Sequence, residues 1–144
     1  MSERRFILGI ETSNPSIGAG VAIADAGGAV LDVEPVDAGT RRSDDLMAAI
    51  DRVCARAGAK PGDLGTIAVS VGPGSYTSIR VAVTTAKLLA EATGAGVIGV
   101  PTWASVARAT AVGAYPAAVC LASKGETTTA AVVAGPDDVG DRPG

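Results

Sequence analysis

The hydrophobic period of the chain changes at Ser43, and that change limits the folds open to it. Before Ser43 the apolar residues fall in three short runs, 6–11 (FILGIE), 17–24 (IGAGVAIA) and 29–35 (AVLDVEP). The clusters TSNPS and Asp25-Ala26-Gly27-Gly28 separate them. Short runs rich in Val, Ile and Ala between such turn residues read as strands, here a hairpin extended to a meander. In the third run Val30, Asp32 and Glu34 alternate with Leu31, Val33 and Pro35, which predicts an edge strand with a wet side.

From Ser43 onward Leu46, Met47, Ile50, Val53, Cys54 and Ala57 recur at three and four residues, predicting a first helix capped by Ser43 and stopped by Gly58. Asp44 and Asp45 suit the positive end of its dipole. The run TIAVSVG, 66–72, reads as a buried parallel strand. A long helix is predicted over 75–93, stopping at Gly94, then a strand at 96–100. Pro101 ends that strand, and Thr102 is expected to cap a short helix through Ala111. PAAVCLA and TTTAAVVA, on either side of SKGE, predict a last hairpin. Three antiparallel strands followed by helix-linked parallel strands predict an α/β fold, a ribonuclease-H-like layer with a mixed five-stranded sheet, the unit of actin-like (ASKHA) ATPases. The expected division is an N-terminal lobe over 1–112, a hairpin at 113–134 opening a truncated second lobe, and a disordered polar tail over 135–144.

Composition removes several chemistries. The 144 residues contain no histidine, so Ser/His/Asp and Cys/His nucleophile systems and His-based zinc sites are excluded. A formal charge of −3 makes the lone chain a poor partner for nucleic acid or an anionic membrane. The N-terminus lacks a signal-peptide core and the apolar runs fall short of a membrane span, so a cytoplasmic location is expected. Cys54 and Cys120 have no C-x-x-C spacing and are expected to be buried, reduced thiols.

Two stretches carry candidate chemistry. In VSVGPGSYTSIR a strand, a glycine turn and a helix start follow one another, a geometry that offers free amides to an anion. Gly72 and Gly74 would permit the turn, and Ser75 and Thr77 would cap the helix or donate to a phosphate. As a nucleotide motif the stretch is weak, since it lacks a Walker-type G-K-[ST], and a plain strand-to-helix turn with a cap is the simpler account of it. In IETSNPS, Glu11, Thr12 and Ser13 end the first strand where actin-like ATPases face phosphates and metal. ATP or ADP with Mg²⁺ is the cofactor such a site would take; otherwise no cofactor is expected. Leu46, Met47 and Ile50 of the first long helix and Ile79, Arg80, Val83, Ala86 and Lys87 of the second are candidates for a protein or dimer interface. Bulky replacements at Ala49 or Ala86 would be expected to disrupt it.

FILGIETSNPSIGAGVAI, RRSDDLMAAID and above all SVGPGSYTSIRVAVTTAKLLAEATGAGVIGVPTWASVA resemble the bacterial TsaB (YeaZ) family over roughly residues 5–134. That family was earlier described as peptidase M22-like. The resemblance implies an ASKHA-type fold and a part in making N6-threonylcarbamoyladenosine in tRNA. It implies a non-catalytic partner that forms homodimers through its first two helices and activates a TsaD-type transferase, with a TsaE-type ATPase joining them. ILGIETS is equally at home in TsaD, but TsaD carries an H-x-x-x-H metal pair, and this chain has no histidine. Arg42-Ser43-Asp44 stand where the family often has His-Ser-Glu, and Leu121-Ala122-Ser123 where it has Asp-Ala-Arg. Two rival readings are a nucleotide-binding ASKHA-type ATPase or kinase fragment using Glu11, Thr12 and the Gly72 to Thr77 turn, and a remnant without partner binding.

Overall fold

A computed structural model describes residues 5–14, 18–37, 42–110, 113–122 and 127–138; the side chains of residues 42–44 and 122 lie outside the description. The elements run in the expected order: β1 (Phe6–Glu11), β2 (Gly20–Asp25), β3 (Val30–Pro35), α1 (Arg42–Ala57), β4 (Leu64–Ser70), α2 (Tyr76–Thr93), β5 (Gly96–Val100), α3 (Thr102–Thr110), β6 (Ala117–Ala122) and β7 (Thr128–Val133). Ile17, Ala111, the SKGE turn and the end of the tail fall outside the described residues, as does the side chain of Ser43.

One five-stranded sheet has the order β3-β2-β1-β4-β5, and β6 and β7 form a separate two-stranded sheet. β1 pairs antiparallel with β2 and parallel with β4, and β4 pairs parallel with β5. The mixed sheet of the ribonuclease-H-like expectation is therefore present. β4 begins at Leu64, two residues before the expected Thr66, because Leu64 is buried and pairs with Phe6.

The pleat sends Leu8, Ile10, Val21, Ile23, Ile67 and Val69 to one face, where Leu46, Ala49, Ile50 and Val53 of α1 and Ala82 and Ala86 of α2 close the main core. Truncating a side chain such as Ile67, fully buried, to alanine costs about 2–5 kcal/mol. Both helices end as expected at glycines with positive φ, Gly58 at 67° and Gly94 at 70°. α3 turns its apolar side to the hairpin, so Trp103 and Ala107 form a second cluster with Val119, Leu121, Ala131 and Val133.

β3 is an edge strand, but its wet side is reversed. Asp32 and Glu34 point to α1 and pair with Arg56, and Glu34 pairs also with Arg52 at 2.7 Å. The Arg56 guanidinium holds both carboxyl groups below the usual carboxylate range, helped at Glu34 by Arg52. Val30, Leu31 and Val33 are the exposed residues instead, at 65%, 50% and 61%. The charged stems fit the α1 side because guanidinium groups there neutralise them, an arrangement that alternation alone cannot reveal. Cys54 is half-buried, whereas Cys120 is exposed on the outer face of the hairpin, against the expectation of two buried thiols. Among the described residues no helix is long and apolar enough to cross a membrane.

Candidate functional site

The C-terminal ends of β1 and β4 and the first turns of α2 and α3 meet around Ser13. Its carbonyl oxygen accepts the Ser75 amide at 2.7 Å. Its hydroxyl accepts from Thr102 Oγ1 at 2.8 Å and donates to Glu11 Oε1, which also accepts the Ser13 amide at 2.7 Å. Thr102 Oγ1 lies 2.8 Å from Ser70 Oγ, so three buried hydroxyl groups join β1, β4 and α3. Beside them Thr12 Oγ1 donates to the Ser78 carbonyl at 3.2 Å, tying the β1 end to α2.

Each predicted residue of this region has a definite place. Gly72 carries a φ of 101°, which glycine tolerates readily. Gly74 lies so close to Ser13 that a Cβ on it would stand 2.2 Å from the Ser13 carbonyl oxygen. Ser75 occupies the N-cap position of α2, yet its hydroxyl accepts from Ser78 Oγ at 3.1 Å and makes no capping bond. Thr77 is exposed on the first turn of α2. Thr102 is the first residue of α3, and its hydroxyl joins the Ser13–Ser70 chain instead of capping the helix.

Glu11, Thr12, Ser13, Gly72, Gly74 and Ser75 are thus brought together, with Ser13 seated against the glycine turn. The sequence reading missed Ser70 and Ser78 here, and took Thr102 for a cap. Their signal is small hydroxyl residues at the ends of parallel strands and in first helical turns, where side chains from separate elements converge.

Glu11 is the open valence of the site. Its Oε1 accepts two bonds from Ser13, while Oε2 is buried and meets no donor among the described residues. The residue lines both a groove of about 550 Å³ over the sheet and a recess of about 230 Å³ bounded by Asn14, Thr102, Ser105 and Val106. A carboxylate oxygen in that setting suits an N–H, O–H or cationic donor. For a nucleotide with Mg²⁺, Glu11 would be the carboxylate at hand; among the described residues no three Cys, Asp or Glu converge as metal ligands.

The candidate interface residues divide by burial. Leu46, Ile50 and Ala86 are core residues, as is Ala49, because α1 and α2 turn these positions to the sheet; they cannot present side chains to a partner. Ile79 and Val83 are half-buried. Met47, Arg80 and Lys87 are exposed, and Leu88 and Tyr76 join them, with the Arg80 guanidinium 5.6 Å from the Tyr76 ring centre. Leu88 and Tyr76 broke no periodic pattern, and only their exposure distinguishes them.

Comparison with known proteins places this geometry in context. The family described as TsaD, tRNA N6-adenosine threonylcarbamoyltransferase, matches residues 22–139. The fold is similar to that of YeaZ from Pseudomonas aeruginosa, with a TM-score of 0.81 and 21% identity over 97% of this chain and 64% of that one. It is similar also to an uncharacterized protein resembling peptidase YeaZ from Pseudomonas aeruginosa, with a TM-score of 0.78 and 21% identity over 97% and 63% of the two chains. The chain therefore spans a little under two thirds of the length of these relatives.

Proposed function

Because the chain belongs to the TsaD family, tRNA N6-adenosine threonylcarbamoyltransferase, and takes the fold of YeaZ, we propose that it serves tRNA threonylcarbamoyladenosine formation as a non-catalytic TsaB-type subunit. In this reading it binds and activates a TsaD-type transferase, and a TsaE-type ATPase acts with the pair. The observation that carries the reading is the absence of histidine from a chain of this family. A transferase that holds its metal through a histidine pair has no equivalent ligands here, whereas an activator needs only surface.

The outer side of α1 and α2 supports that role. Met47 of α1 and Tyr76 and Leu88 of α2 are exposed, as are Arg80 and Lys87 of α2, so the outward helix faces carry both apolar and basic side chains. Such a mixture suits a protein interface, with aromatic and Arg anchors and a polar surround. The same side would serve self-association in the absence of the transferase.

The test is size-exclusion chromatography with light scattering on the purified chain, alone and mixed with the TsaD-type protein of the same genome, followed by transfer assays on tRNA. A mixed complex with raised transferase activity is expected. Two separate peaks and unchanged activity would overturn the proposal, and stabilisation of the lone chain by ATP would favour a nucleotide-binding protein instead.

A further inference from the structure

We draw no further inference here: the strongest candidate, the recess of about 230 Å³ between the C-terminal end of β1 and α3, bounded by Asn14, Thr102, Ser105 and Val106, belongs to the site already described around Ser13.

Discussion

A Cβ added to Gly74 would stand 2.2 Å from the Ser13 carbonyl oxygen and 2.7 Å from its carbon, although Gly74 itself is exposed. Both contacts are with backbone, so neither can be relieved by a side chain swinging aside. Gly74→Ala must push the turn off Ser13 and stretch the 2.7 Å bond between the Ser75 amide and that carbonyl. A loss of about 1–3 kcal/mol is expected in urea denaturation. Gly62→Ala, where nothing lies within 4 Å, should stay within about 0.5 kcal/mol. Equal stability of the two variants would show that the turn is not held by Ser13.

The hydroxyl chain through Thr102 makes a second, sharper test. Thr102→Val keeps the shape but removes both 2.8 Å bonds, leaving the buried Ser13 and Ser70 hydroxyls short of a partner. The expected cost is about 1–3 kcal/mol. Thr102→Ser keeps both bonds and loses one methyl group, worth about 1 kcal/mol. A denaturation series in which valine is no worse than serine would mean that the bonds do not contribute.

The order of elements was legible because each carries its own signal: short apolar runs between turn residues in β1 to β3, three-and-four spacing in α1 and α2, with Gly58 and Gly94 as stops. The site was legible in part. Glu11, Ser13 and Gly74 could be named as residue types near turns, but that Ser13 would seat itself against Gly74 depends on how two loops distant in sequence meet. Burial was the weakest inference. Leu46 and Met47 are neighbours and both apolar, and only the direction of the sheet decides that Leu46 is 1% and Met47 46% exposed. Asp32 and Glu34 misled for a related reason: their arginine partners lie 24 and 22 residues away, beyond any local pattern.

Those carboxylates make the β3–α1 contact acid-sensitive. Arg56 lowers the pKa of Asp32 and of Glu34 in the folded state. Their contribution is therefore fully present above the unfolded carboxylate values and is lost as pH falls through the lower folded ones, below about pH 4. Arg56→Met should lower the urea midpoint at pH 7 and matter less at pH 3, where protonation of the unfolded carboxylates removes part of what the pairing with Arg56 contributes. A difference between the two that does not shrink at pH 3 would assign the effect of Arg56 to packing.

The two thiols should react in a fixed order. Cys120 is exposed, whereas Cys54 is half-buried and its thiol is pushed up by that burial and by the nearby Asp51 charge. Since the thiolate is the reactive form, Cys120 should take a disulfide reagent at once under native conditions at pH 8 and Cys54 only slowly. Mass mapping of single modifications reads the order. Faster labelling of Cys54 would show that α1 opens from the sheet far more readily than its buried contacts with Leu8 and Ile23 allow.

The surface proposed for the transferase separates into residues that test it and residues that cannot. Ala86 is fully buried against the sheet, so Ala86→Leu overpacks the core by about 1–3 kcal/mol, and any loss of binding there would report on folding. Arg80 and Lys87 are exposed on the same helix, and Lys87 has no ion pair among the described residues. Arg80→Glu with Lys87→Glu should leave the urea midpoint nearly unchanged while reversing the charge at these two positions. Binding to the TsaD-type partner, followed by titration calorimetry, is expected to weaken about tenfold or more, the loss of a complementary charge pattern. Unchanged affinity in a variant with native stability would remove this helix face from the interface and leave the partner to be sought elsewhere on the chain.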